Sequence, residues 1–479
     1  MKVKNLKLTN FRCFNNFEIS FSEKYNIHTI IAENMVGKSA LMHALKLIAN
    51  TYTSGLQTEK QISAKDHRII GINPIADISA DVSIETIALV QDNYGNYVES
   101  NWKKYKTKPS GERTKIDIIN GLDPRKQSKN IYELAQTGSA ILPLFSFIGT
   151  EYIHVQSSDT FSWTINGKSI EAYKDCFNDK SIQKYLFKWL ARIDSIVIES
   201  NYKKIVSEAY GNIPSNALYI FQEAVISILP DVEMIEWSID AKQPIIKFKN
   251  GEIRLFEMLS DGYRYLILLA GELATRAFIL NKNSGVDILK KINGIVLIDE
   301  FGIHLHPSLQ NSSLIRLGKT FPNIQFIIST HSPLTLNGLK KEQVHILSMD
   351  NNGNRLVYNP DEDIIGLGAD QIITKVFGLP TTLDEEYLKW SEQYKELYKK
   401  KENEELNVYE IKEFKKLSGL LAEYRLDPEH ELIKDNTIVE IVKEKLKARS
   451  LNVLEEREIK DLNKTVGDII DNLFKNEKL

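Results

Sequence analysis

The chain has 479 residues, room for two or three domains, and with 42% hydrophobic and 26% charged residues it is not a disordered polymer. A net charge of −3 gives no global basic field, so any nucleic-acid face has to be local. Cys13 and Cys176 are too few and too far apart for a disulfide framework or a zinc site, which suits a reducing cytosol.

From Met1 the sequence alternates polar and apolar residues and lacks a signal-peptide core. Short strands are predicted at Val3–Leu8, Phe17–Phe21 and Ile27–Ile31. Behind the third, Ala32-Glu33-Asn34-Met35-Val36-Gly37-Lys38-Ser39 runs into a helical pattern, Ala40–Ile48. Strand, loop, Gly-Lys-Ser and helix is the context a phosphate-binding loop requires. Main-chain N–H groups around Asn34, Gly37 and Ala40 would wrap the phosphates of ATP, and the helix N-terminus adds its dipole. Lys38 would reach the β- and γ-phosphates, and the Ser39 hydroxyl would ligate Mg²⁺. Ala32 stands where the standard pattern opens with Gly, and Met35 and Val36 replace small residues. Any positive φ at Met35 would be strained. The plain alternative is a chance Gly-Lys-Ser ahead of an ordinary helix.

Between residues 50 and 140 the alternation of Ala80–Leu89 and Tyr97–Tyr105 predicts antiparallel strands, with polar loops at Lys108–Arg113 and Asp123–Lys129. Lys103, Lys104, Lys106, Lys108, Arg113 and Lys115 accompany Trp102 and Tyr105, a pattern for a nucleic-acid patch or, more plainly, a solvated hairpin. Ile141–Thr150 reads as a buried strand, and Gln156 beyond it is placed to reach a metal-bound water or simply to face solvent. Tyr173–Ile228 is helical, with Tyr185, Leu186, Trp189, Leu190 and Ile193 on one core-facing stripe and no sustained heptads.

Val232–Ile239 and Ile245–Phe248 alternate as strands before Leu259-Ser260-Asp261-Gly262, which opens the helix Tyr265–Leu280. Ser260 is an N-cap residue, and Gly262 lets a phosphate approach the backbone; an ordinary capped turn is the alternative. Glu272 and Arg276 inside that apolar helix argue against a membrane span. Ile295-Val296-Leu297-Ile298 is a buried strand ending in Asp299 and Glu300. Asp299 would hold Mg²⁺ through water, and Glu300 would orient or deprotonate the water that attacks a phosphate, unless the strand merely runs out into an acidic turn. His304 and His306 lack a further metal ligand and read as packing or interface residues. Another buried strand follows from Asn323 and ends at His331.

The order Gly-Lys-Ser, Leu-Ser-Asp-Gly, Asp-Glu and strand-end His resembles the ATP-binding cassette class of ATPase. It is similar in particular to the arm-less SMC- and RecF-like members of phage-defence systems, the Septu-type ATPases and the overcoming-lysogenization-defect nucleases. Leu8-Thr9-Asn10-Phe11-Arg12-Cys13-Phe14 matches that family's first strand and turn, which places Arg12 near the nucleotide phosphates. Leu142-Pro143 through Gly149-Thr150 is similar to a Septu strand-turn that continues Gly-Arg; here Glu151-Tyr152 follows, so that arginine's role does not carry over. The resemblance makes His331 the switch histidine that senses the γ-phosphate. It also puts Ser260 of one subunit against the γ-phosphate held by another.

The implied architecture is α/β: an ABC-type P-loop ATPase head over residues 1–340, with a mixed sheet, an antiparallel β part and a helical lobe at about 170–230. A mainly helical region, 341–479, follows, with Leu383–Lys400 and Leu406–Tyr424 pairing as a helical hairpin and offering a partner or oligomer interface. No Asp-x-Asp with an upstream Glu marks a nuclease module there, and Asp361-Glu362-Asp363 reads as solvated charge. The expected protein is a cytoplasmic, Mg²⁺-dependent ATPase, a homodimer or higher homo-oligomer through its heads. It would sense or clamp nucleic acid and control a separate HNH nuclease subunit. The alternatives are a RecF-like repair ATPase without a nuclease, or a nucleotide-gated scaffold with little hydrolysis.

Overall fold

The computed structural model describes residues 1–33, 35–57, 60–70, 78–150, 152, 167–178, 182–203, 211–402 and 406–424. Strands β1 (Lys2–Phe11), β2 (Phe14–Ser20) and β3 (Ile27–Ala32) lead into helix α1 (Lys38–Thr53). Next come β4 (Val82–Gln91), β5 (Tyr97–Lys106), β6 (Lys115–Asn120), helix α2 (Pro124–Gln136) and β7 (Leu144–Ile148). Helices α3 (Gln183–Tyr202) and α4 (Ile213–Ile228) precede β8 (Val232–Ser238), β9 (Gln243–Phe248) and β10 (Ile253–Leu255). Then follow α5 (Asp261–Leu280), α6 (Ile288–Lys291), β11 (Gly294–Ile298), α7 (Pro307–Thr320) and β12 (Ile324–Ser329). With β13 (Val344–Met349), β14 (Arg355–Tyr358) and α8 (Ala369–Lys375) they make one compact unit, Met1–Pro380.

Every residue of β3, β7, β11 and β12 is buried. Strands covered on both faces are the mark of a parallel sheet between layers. Their sheet has the order β14-β13-β3-β12-β11-β7, parallel throughout except for the antiparallel edge strand β14. A five-stranded sheet, β2-β1-β4-β5-β6, is antiparallel, and β10-β9-β8 is a small antiparallel sheet. Gln325 joins the two large sheets: its side-chain amide accepts from the Val3 N–H at 2.8 Å and donates to the Val3 carbonyl at 2.8 Å. Both main-chain groups of Val3 are thereby satisfied inside the core.

Two expectations need correction. Asp123–Lys129 is not a loop: Asp123 caps α2 by accepting from the Arg125 N–H at 2.9 Å, and Pro124 takes the first helical position. The capping chemistry is ordinary, but its apolar face is too sparse to show in a polar stretch. The basic stretch on β5 is also not one solvated face. Strand alternation turns Lys104 inward, where its ammonium donates to the Lys60 carbonyl at 2.6 Å, and Lys106 donates to the Pro109 carbonyl at 3.0 Å.

Helix α5 begins at Asp261, four residues before the predicted start, and is buried along nearly its whole length. Its two buried charges meet inside the protein. Arg276 donates to Glu272 at 2.6 Å, while Ser146 and Tyr152 donate to the same carboxylate at 2.9 and 2.7 Å. Among the described residues no helix is long and apolar enough to cross a membrane. In the second unit, from Thr381, helices α9 (Glu385–Glu402) and α10 (Val408–Tyr424) pack together, Tyr394 stacking on Phe414 at 4.8 Å between ring centres.

Candidate nucleotide-binding site

Sheet order decides the site. β12 lies between β3 and β11, with Ile328 level with Ile298 on one side and Ser329 level with Ile30 on the other. The loops leaving the carboxyl ends of these three parallel strands therefore emerge side by side, where ligands of open α/β sheets bind. They carry the Gly37-Lys38-Ser39 turn, the Asp299-Glu300 pair and His331.

In the first loop Gly37 has φ +126, and a Cβ there would lie 2.6 Å from Cys13 Sγ and 3.0 Å from the Phe14 ring. Only glycine fits between the loop and the β1–β2 turn. Met35 has φ +68 and is almost fully exposed, so the strain expected of it is present. Lys38 is buried and its ammonium donates to the Ala32 carbonyl at 2.6 Å. Burial lowers its pKa, against the opposing charges of Glu300 and Asp299. Ser39 is exposed near the start of α1, with Ala40 half-buried behind it. Asn34 and Gln156 lie outside the described residues.

In the second loop both carboxylate residues are half-buried. The Ser329 hydroxyl donates to Asp299 Oδ1 and accepts from the Glu300 N–H, the latter at 2.8 Å. Glu300 has φ +56, a left-handed conformation held by this contact and by the Phe301 N–H bond to the Ser329 carbonyl at 2.9 Å. Sequence reading passed over Ser329; its only signal is its place two residues before the strand-end histidine. His331 is largely exposed; partial desolvation of its ring together with the Lys38 charge lowers its pKa, while Glu300 and Asp299 pull the other way. With β12 between β3 and β11, the strand ends bring Lys38, Asp299, Glu300 and His331 to one sheet edge, where their charges act on one another.

Arg12 sits at φ +49 in the β1–β2 turn, with its guanidinium on Asp66 through Nε and a second nitrogen, both at 2.8 Å. His43 on α1 meets the same carboxylate at 3.2 Å. Burial tends to raise the Asp66 pKa, but the hydrogen bonds from His43 and Ser63 and the charges of His43 and Arg12 hold it far below the usual carboxylate range. Arg12 thus lies beside the loop as a paired cation. Asp66 and His43 carried no sequence signal.

Ser260 stands at the N-cap position of α5 with extended backbone; its side chain makes no capping bond and the residue is exposed. Gly262 is buried, and a Cβ there would lie 2.9 Å from the His304 carbonyl oxygen. Its smallness serves the packing of α5 on the loop after Glu300. His304 lies against the Tyr265 ring, 6.5 Å between centres, and His306 caps α7 by accepting from the Ser308 N–H at 3.4 Å. Tyr265 is buried, its pKa raised by burial and by Asp299, and among the described residues its hydroxyl has no hydrogen-bond partner.

These residues suit a magnesium nucleotide. An exposed helix-start hydroxyl, a buried lysine and two half-buried carboxylates are hard oxygen donors and a cation at one sheet edge. No group of three or more His, Cys, Asp or Glu side chains among the described residues gathers for a metal, and Mg²⁺ bound to a nucleotide needs only one or two protein ligands beside the phosphates.

The chain matches the family model described as "AAA domain" over residues 5–209 and a second, "AAA domain, putative AbiEii toxin, Type IV TA system", over 154–337. It is 25% identical over 458 residues to the "Retron Vc95 probable ATPase" of Vibrio cholerae, covering 86% of each chain. It is 25% identical to the "Retron Ec83 probable ATPase" of Escherichia coli, over 83% of this chain and 80% of that one. It is 24% identical to a "Septu protein PtuA" of Bacillus mycoides, over 88% of this chain and half of that longer one. A solved SMC head bound to the C-winged helix domain of ScpA overlaps 75% of this chain and 98% of that one, with a TM-score of 0.44 and 14% identity.

Proposed function

We propose that this chain, similar over most of its length to ATPases named for retron and Septu systems and matched in part by AAA-domain models, hydrolyses Mg²⁺-ATP at sites shared between two copies. In each site Lys38 meets the β- and γ-phosphates, Ser39 and Asp299 hold the metal, Glu300 positions the attacking water and His331 senses the γ-phosphate. Gly37, Ala40 and Asn34 line the phosphate loop, with Arg12 beside it. Ser260 comes from the second copy. Gln156 is a further candidate at the metal-bound water. The observation that carries this reading is the gathering of Lys38, Asp299, Glu300 and His331 at one sheet edge while Ser260 stands exposed at the start of α5. The bound metal supplies charge neutralisation across the phosphates; the chain's own groups bind, orient and take up the proton.

The head expected over residues 1–340, with its helical lobe, takes in β13 and β14 as well, so the partner-binding region proposed within 341–479 is the helical unit that starts at Thr381. The cycle would control a separate HNH nuclease subunit in answer to nucleic acid, in the cytoplasm. A nucleotide-gated scaffold with slow hydrolysis is the second reading, favoured by the left-handed Met35 in the phosphate loop. Phosphate release at saturating ATP separates the two.

Complementation tests the shared site. Lys38→Ala and Ser260→Arg are each expected to abolish turnover. Mixed in equal amounts, they should recover roughly a quarter of wild-type activity, because half the dimers are mixed and each keeps one intact site. A mixture as inactive as its components, with mixed dimers demonstrated by tagged copies, would refute sharing.

A further inference from the structure

Outside the nucleotide site, a cavity of about 340 Å³ opens between α3 and the β8–β9 hairpin. That is enough to admit one planar base. Its wall is aromatic: Phe187 and Trp237 meet edge to face with ring centres 5.9 Å apart. Ala191 also lines it, and Lys184, Lys188 and Lys242, all three exposed, stand around it. No lining residue is acidic. An apolar slot with three lysines and Gln183 around it suits a ligand with a flat ring and negative charge, since every base offers a π-face and its phosphates need the lysines.

We infer that this cavity holds an unpaired nucleotide of a single-stranded nucleic acid, its base against Phe187 and Trp237 and its flanking phosphates on Lys184, Lys188 and Lys242. One feature favours a strand over a free mononucleotide: Lys184 and Lys188 are one helical turn apart, about 6 Å along α3, with Lys242 on the facing hairpin, so the cations extend beyond one phosphate. This inference rests on reading the chain as a sensor of nucleic acid, and it names the form sensed. Phe187 further packs edge to face on Phe256, ring centres 4.9 Å apart, and Phe256 begins the turn that leads to Ser260. Cavity wall and Ser260 loop thus share one aromatic contact.

The test uses the full chain and a fluorescein-labelled oligothymidylate, read by anisotropy over a range of NaCl concentrations. Lys184→Gln with Lys188→Gln, both exposed, is expected to weaken binding at least about tenfold and to make the log–log salt slope shallower by about 1.4, two phosphate contacts on a single strand. Wild-type fluorescence quenching by the oligonucleotide should shrink in Trp237→Phe. ATP hydrolysis without nucleic acid should be unchanged in the double variant, which shows that it is folded and separates this inference from the ATPase reading. An unchanged affinity and slope in the double variant, or no binding by an ATP-competent wild type, overturns the proposal. So does equal affinity for a duplex of the same length, or displacement of the oligomer by micromolar thymidine monophosphate, which would make this a mononucleotide pocket.

Discussion

The hydroxyl of Ser329 touches both members of the acidic pair, donating to Asp299 and accepting from the main chain of Glu300. One oxygen therefore ties the orientation of the proposed metal ligand to that of the proposed base. Glu300 is the residue whose loss separates binding from chemistry. Glu300→Gln keeps size and hydrogen bonding but cannot take a proton. Hydrolysis is expected to fall about 10²–10⁴-fold with ATP affinity retained, as read by phosphate release and calorimetry. Turnover within a few-fold of wild type would remove Glu300 from its assigned role. Met35 departs from the usual small residue of a phosphate loop and holds φ +68, a conformation that costs a non-glycine residue about 1–2 kcal/mol. The loop's conformation thus carries a cost that a glycine would relieve.

Helix α5 joins the Ser260 loop to the core through its buried charges. Glu272 accepts from Arg276, Ser146 and Tyr152, while Arg276 also donates to the Ala172 and Lys174 carbonyls. Such a pair adds little net stability when intact, yet removing one partner strands the other in a low-dielectric interior. Glu272→Leu is accordingly expected to cost about 3–5 kcal/mol, measured as a lowered urea midpoint. Glu272→Gln, which can still accept from Ser146 and Tyr152, should cost less. A Leu variant with the wild-type midpoint would show that stranding Arg276 carries no such cost.

At the scale of the whole molecule, acid should loosen the junction of β3 and β13. His28 and His345 face each other there, Nδ1 to Nε2 at 3.3 Å, with Phe21 edge-on to both. Burial lowers both pKa values, and the neighbouring imidazole adds to the effect on His345. For a histidine depressed in the folded state, the unfolded chain binds more protons. Stability is then complete above the ordinary imidazole pKa, about 6.5, and declines as pH falls below it. Asp66, also depressed, adds a second loss only below about pH 4, its unfolded range. His345→Leu should therefore lose less stability between pH 7 and 5 than the wild type does, in urea titrations at each pH. Parallel pH curves for the two proteins would contradict this.

Local pattern carried much of this protein. The buried strands β3, β11 and β12, the Gly-Lys-Ser turn, the Asp-Glu strand end and the helical pair of the second unit were legible, because periodicity and loop chemistry are properties of neighbouring residues. Helix α2 escaped, since a capped helix with a sparse apolar face looks like a polar loop. The inward turn of Lys104 escaped as well, because strand alternation shows which side chains share a face but not which face is covered. Only the tertiary structure could show that β12 lies between β3 and β11, which gives Ser329 its two partners. It alone revealed that Asp66 and His43 hold Arg12, and that Gly262 is small for the sake of the His304 carbonyl. Each of those facts depends on groups far apart in the chain meeting at a few ångströms, and sequence spacing does not encode such meetings.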